Sequence, residues 1–391
     1  MEPNDIKCDI FCTVVDNYGD IGVCWRLARQ LANEYGQTVR LWVDDLASFR
    51  KLCAEVDTAL PSQSCRGVEI RHWPVIFPEV APAQLVIEAF ACELPERYVL
   101  AMAELPDKPV WLNLEYLSAE DWVEGCHALP SPHPRLPLVK YFFFPGFTPK
   151  TGGLLLERDL LARRDAFLAD AAAQQRYWQG LGVPEHLPDE LRVSLFSYEN
   201  PAIPELLAAW ADGATPVTCL VPVGRALPQV AAFCGVSQLV AGDVLQQGSL
   251  RVQVLPFVEQ ERYDELLWAC DVNFVRGEDS FVRAQWAGKP FVWHVYPQHD
   301  GVHVHKLHAF LALYGAGLPA ECAQAVRGLW DCWNGVEGTG QAALRWNLFR
   351  DCRSMLLPYG ADWARQLAGR DLALNLLDFY RKVGKMRPFE I

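Results

Sequence analysis

The stretch Cys270–Val292, CDVNFVRGEDSFVRAQWAGKPFV, decides the fold. An apolar run ends in Arg276-Gly277, Glu278-Asp279-Ser280 opens a helix, and Gly288 stops it before Lys289-Pro290 leads into another apolar run. Strand, turn, helix and strand in this order make a parallel sheet, whose strands need a helical crossover. Free backbone N–H groups and the positive end of the helix dipole at that turn suit a pyrophosphate. An ordinary turn in which Asp279 or Ser280 only caps the helix is the alternative. Just upstream, LPFVEQERYDELL puts Phe257 and Val258 at a strand end. An aromatic there can stack on a nucleobase, or simply seal a core.

The same alternation runs outward in both directions. LRVSLFSY, TPVTCLVPV, LRVQVLPF and KPFVWHVY read as strands, with AIPELLAAWA and ERYDELLWAC as helices between them. In the first half, Cys8–Val15, QTVRLWVDD, GVEIRHW, LVIEAF and VWLNLEYL read as strands. A helical stripe runs from Val23 to Tyr35, and further helices are LASFRKLCAEV and PERYVLAMAEL. The proline-rich HALPSPHPRLPLVKYFFFPGFTPKTGG reads as a loop leading to a boundary. The expected organisation is an N-terminal Rossmann-like domain over 1–153, a helical linker over 154–188 and a C-terminal Rossmann-like domain over 189–360. A last helix within 361–391 returns to the first domain. The fold class is α/β, two doubly wound domains facing a central cleft that can bring two substrates together.

A length of 391 residues with 51% hydrophobic content supports two packed cores. The net charge of −13 and the absence of a Lys/Arg run exclude a nucleic-acid surface and favour a cationic or neutral partner. Thirteen scattered cysteines without a C-x-x-C pair signal neither a disulfide framework nor a zinc site, so the compartment expected is the cytoplasm. No apolar run is long enough to span a bilayer, and no membrane partner is expected.

The first strand-to-helix turn, VVDNYGDIG, lacks phosphate-binding glycines and carries Asp16 and Asp20 around Gly19. Carboxylates repel phosphate but suit a cation, so this turn is expected to meet a cationic acceptor; a helix cap is the alternative reading. Five histidines, His294, His299, His303, His305 and His308, crowd one segment, but their spacing matches no zinc pattern, and they are expected at the surface or at a helix start. No D-x-D at a strand end suggests manganese, so neither metal nor cofactor is expected.

VVDNYGDIGVCWRLARQL, FPGFTPKTGGLL, LFSYEN and LPFVEQERYDELLWACDVNFVRGEDSFVRAQWAGKPFVWHVYPQ together resemble the protein-arginine rhamnosyltransferases that mature bacterial elongation factor P, which have the GT-B glycosyltransferase fold. The resemblance runs from near the N-terminus to the C-terminal helix. It implies an inverting enzyme that moves L-rhamnose from dTDP-β-L-rhamnose to an arginine of elongation factor P. By the same resemblance the acidic-loop residues are Asp16 and Asp20, with Asn17 beside them as a donor-binding residue. Phe196, Phe257 and Tyr263 hold the base. Tyr198, Gln260, Arg276, Asp279, Ser280 and Tyr296 contact the diphosphate, and the essential glutamate is Glu278. Val258 stands with Phe257 on the donor side. Asp20 is expected as general base or charge stabiliser, with Asp16 positioning the acceptor. Two other readings stand beside this one. One is a GT-B transferase with another nucleotide-sugar and a small-molecule or lipid acceptor; the other is a non-catalytic nucleotide-sugar-binding or translation-factor-binding protein.

Overall fold

A computed structural model describes residues 6–15, 18–187, 189–298, 301–338 and 340–385. The chain divides into two compact units, Met1–Arg158 with Leu367–Ile391, and Asp159–Gln366.

In the first unit the elements run β1 (Lys7–Cys12), α1 (Gly19–Asn33), β2 (Thr38–Val43), α2 (Leu46–Leu52), β3 (Ser62–Cys65), β4 (Val68–His72) and β5 (Leu85–Ala89). They continue with α3 (Glu96–Glu104), β6 (Val110–Leu114), α4 (Trp122–Cys126), β7 (Pro130–Pro132) and β8 (Val139–Phe143). The eight strands are ordered β3-β4-β2-β1-β5-β6-β8-β7, parallel except for the antiparallel β3–β4 and β7–β8 pairs. From β1 the chain winds outward through β2 and β4, then returns to β5 on the other side of β1. Such a reversal opens a crevice at the carboxyl ends of the two strands, here β1 and β5, where doubly wound sheets take ligands. Phe11, Trp42, Phe77, Val86, Tyr98, Met102 and Trp111 form the core on one face. Buried Asp9 is held there by the Arg40 fork at 2.6 and 2.5 Å and by the Tyr98 hydroxyl.

The second unit contains α5 (Leu160–Ala169), α6 (Ala171–Gly180), β9 (Leu191–Leu195), α7 (Ala202–Asp212), β10 (Val217–Pro222), α8 (Leu227–Phe233), β11 (Val244–Gln247) and β12 (Leu250–Leu255). Then come α9 (Gln260–Ala269), β13 (Val272–Arg276), α10 (Asp279–Ala287), β14 (Phe291–His294), α11 (Val302–Gly315), α12 (Ala320–Trp333), α13 (Ala342–Asp351) and α14 (Arg353–Leu367). The sheet is ordered β11-β12-β10-β9-β13-β14, and only the β11–β12 pair is antiparallel. Its reversal lies between β9 and β13. The last helix, α15 (Leu372–Lys385), belongs to the first unit.

Three sequence expectations need correction. The proline-rich stretch read as a loop contains β7 and β8, because proline is compatible with an edge strand and β7 has a neighbour on one side only. The helical linker expected over 154–188 is not continuous but holds two helices, α5 and α6. Asp170 breaks them, its side chain accepting from Ala173 N at 3.0 Å to cap α6. Helix α1 begins at Gly19 rather than Val23, which draws Asp20 into its first turn. Gly288 ends α10 as expected, at φ 66° in the left-handed region that glycine tolerates.

Candidate functional site

Asp20 lies at the switch point of the first sheet. It is not the cap of α1, because that position belongs to Tyr18, whose carbonyl accepts from Gly22 N at 2.9 Å. The Asp20 side chain turns back instead, one oxygen accepting from Val15 N at 2.9 Å and the other from the Tyr116 hydroxyl at 3.2 Å. The residue is 2% exposed. Asp16 and Asn17 lie outside the described residues. Helix α1 is anchored behind this turn by the Arg26–Glu157 ion pair at 3.2 Å and by Gln30, which donates to Leu156 O at 2.7 Å and to Asp371 at 3.1 Å.

In the second unit the carboxyl ends of β9 and β13 gather most of the residues expected to bind a donor. Phe196 and Tyr198 follow β9, and the Arg276 guanidinium at the end of β13 lies 4.6 Å from each ring centroid. Stacking on two aromatic rings holds that cation in place at the strand end. Phe196 meets Tyr263 at 5.7 Å, and Tyr198 meets Tyr296 edge-on at 5.6 Å. Ser280, in the first turn of α10, accepts from Arg276 N at 3.1 Å and donates to Arg276 O, which locks the turn between strand and helix. Gln260, first residue of α9, donates to Asp279 Oδ2 at 3.2 Å and so joins the openings of two helices. Burial, then the charge of Asp279, push the Tyr263 phenol well up, so this ring stays neutral. Glu278 caps α10 through its carbonyl, which accepts from Val282 N at 3.1 Å, and makes no side-chain cap hydrogen bond. Phe257 and Val258 are half-buried in the connector between β12 and α9.

His294, expected with the other clustered histidines at the surface or at a helix start, is instead buried at the end of β14. The apolar strand carries it into the second unit's core, and it is built into this set. Ser197 Oγ lies 2.9 Å from His294 Nδ1 and donates its single proton to Tyr198 O at 2.9 Å. The imidazole thereby holds the Phe196–Tyr198 turn. Burial first, then the Arg276 charge, push its pKa down to about 3. Other histidines of the cluster go elsewhere: His303 accepts from Gln298 N at 3.2 Å, and His308 pairs with Asp331 at 2.7 Å. His299 lies outside the described residues. Sequence reasoning also missed Arg225, which is 5.5 Å from the Tyr198 ring and paired with Glu199 at 2.7 Å.

Two further features stand apart from these residues. A cavity of about 580 Å³ lined by Glu88, Trp111, His133 and Lys140 contains none of them. Cys53 and Cys65, unremarkable in spacing, place their sulfurs 3.3 Å apart beside Glu55, which Arg66 holds at 2.8 Å. Burial, then contact with Cys53, push the Cys65 thiol well up, and it donates to Glu55 at 3.3 Å.

Two doubly wound sheets, the second with a guanidinium and a helix N-terminus at its switch point, make the architecture of the GT-B glycosyltransferase fold. A solved glycosyltransferase from Rickettsia africae aligns over 99% of this chain and all of its own, with TM-score 0.51 at 10% identity, a likeness of fold alone. Residues 8–381 match the family model described as Elongation-Factor P (EF-P) rhamnosyltransferase EarP. A protein-arginine rhamnosyltransferase of Pseudomonas putida is 54% identical over 374 residues, 95% of this chain and 98% of its own. A solved structure described as the structural basis for EarP-mediated arginine glycosylation of translation elongation factor EF-P is 40% identical. It covers 96% of this chain and 99% of its own, with TM-score 0.70. The chain belongs to the elongation factor P rhamnosyltransferase family, and it is a sugar-transferring enzyme.

Proposed function

We propose that this enzyme transfers L-rhamnose from dTDP-β-L-rhamnose to one arginine of translation elongation factor P, with inversion at the anomeric carbon, in the cytoplasm and without a metal ion. The observation that carries the reading is the family match over residues 8–381. The geometry of the two switch points supports it. Phe196, Tyr263 and Phe257 are assigned to the thymine. Tyr198, Gln260, Asp279, Ser280 and Tyr296 are assigned to the diphosphate, along with Arg276, whose fixed charge offsets the negative charge that grows as the diphosphate leaves.

On the acceptor side a guanidinium is cationic, planar and weakly nucleophilic. Asp20 attracts it and takes a proton as the bond forms. One guanidinium nitrogen displaces the dTDP oxygen at the anomeric carbon: the C–N bond forms as the C–O bond breaks, and dTDP leaves with the electron pair. One N–H proton passes to the Asp20 carboxylate. Asp16 is assigned to positioning the acceptor and its loop, Asn17 to the donor, and Glu278 to the sugar or the incoming guanidinium. Since a single displacement turns a β-linked donor into an α-linked product, NMR of the modified arginine tests the reading. An α-rhamnosyl arginine is expected, and its rate of formation falls about 10²- to 10⁴-fold in Asp20→Asn and Glu278→Gln. A β-linked product, or transfer from another nucleotide-sugar only, contradicts it.

A further inference from the structure

We infer that Tyr116 is a positioning residue for the acceptor: its phenol fixes the Asp20 carboxylate, and its ring, backed by Phe90, gives the acceptor guanidinium a flat aromatic surface. This rests on the reading of Asp20 as the acceptor-side acid. Tyr116 leaves the sheet two residues beyond β6 and reaches Asp20 Oδ1 at 3.2 Å, while Val15 N holds the other oxygen at 2.9 Å. The carboxylate is thereby pinned at both oxygens, from two separate parts of the chain. Asp20 is 2% exposed and Tyr116 40%, so nearly all the accessible surface of the pair belongs to Tyr116.

The ring is itself held in place. Phe90 stacks on it with centroids 4.4 Å apart and planes 18° from parallel. Phe90 and Ala91 have φ of 56° and 53°, in the left-handed region that residues with a Cβ avoid. The conformation persists because β6 grips both residues: Phe90 N donates to Leu114 O at 2.7 Å, and Ala91 N to Asn113 Oδ1 at 3.0 Å. Backbone strain held by its surroundings in this way collects at functional sites. Here it turns the Phe90 ring under Tyr116 instead of letting β5 run straight on. A guanidinium is planar and weakly hydrated, and stacks on such a ring more readily than an ammonium does.

Steady-state kinetics of the full-length enzyme with elongation factor P and dTDP-β-L-rhamnose test the inference in Tyr116→Phe and Tyr116→Leu, with Asp20→Asn as reference. Phenylalanine keeps the ring and loses the hydroxyl, so kcat is expected to fall about ten- to a hundredfold with the acceptor KM unchanged. Leucine loses both, and the acceptor KM is expected to rise in addition by about three- to thirtyfold. A Phe variant with the kcat of the parent overturns the inference, as does a Leu variant with an unaltered acceptor KM. Equal losses in both variants that track a lowered melting temperature overturn it too, because the side chain is then only structural. If Asp20→Asn is inactive while both Tyr116 variants are unimpaired, only this inference fails. If Asp20→Asn is fully active, the underlying reading of Asp20 fails.

Discussion

His294 keeps its imidazole neutral at the centre of the second unit's site. With its pKa pushed down to about 3 from an ordinary 6.5, the folded protein binds fewer protons than the unfolded chain between those values. Its contribution to stability is therefore complete above about pH 6.5 and is lost as the pH falls toward 3. Urea unfolding of the parent and of His294→Gln at several pH values checks this: the parent loses stability faster with falling pH, and parallel curves contradict it. Individual residues differ in how far the sequence announces them. Asp20 stands out because an acid replaces phosphate-binding glycines, and the Arg276–Ser280 turn because strand and helix signals meet there. Tyr116 and Ser197 carry no such mark, since each matters through a partner about a hundred residues away in the chain.

Helices α9 and α10, whose first residues are Gln260 and Asp279, are bolted together further along by Asp264 and Arg283. This fork closes at 2.9 and 2.7 Å with both side chains at most 2% exposed. Removing one member leaves an unpaired buried charge, which costs about 3–5 kcal/mol. Arg283→Met is thus expected to unfold at markedly lower urea concentration than the parent, and a midpoint equal to the parent's contradicts the structural role. Elements were legible in proportion to their apolar periodicity. Buried parallel strands such as β5 (LVIEA) and β10 (VTCLVP) declare themselves as nearly continuous apolar runs. The polar edge strands β3 (SQSC) and β11 (VLQQ) do not, because each is paired on one side only and has little to bury. Helix α10 was readable end to end, since Gly288 supplies the left-handed stop.

At the scale of the whole molecule, two sheets each reverse direction beside their first strand, β1 in one and β9 in the other. The same winding presents an acid at one switch point and an arginine at the other, which on the proposed reading lets a common scaffold serve a cationic acceptor and an anionic donor. That division was legible in the alternation of strands and helices and in the contrast between the VVDNYGDIG and NFVRGEDSF turns. The identities of sugar and acceptor were not, because no single residue encodes them; they came through resemblance over nearly the entire chain. A net charge of −13 suits a cationic acceptor site, but on its own says nothing of rhamnose. The most direct test is the intact mass of elongation factor P after incubation with this enzyme and dTDP-β-L-rhamnose in excess EDTA, with fragmentation to locate any adduct. A gain of one deoxyhexosyl residue on a single arginine is the result expected. No gain in EDTA or with added divalent metal, from folded enzyme that binds dTDP, contradicts the proposed donor and acceptor, and a gain only when metal is restored contradicts the metal-free chemistry assigned to Arg276.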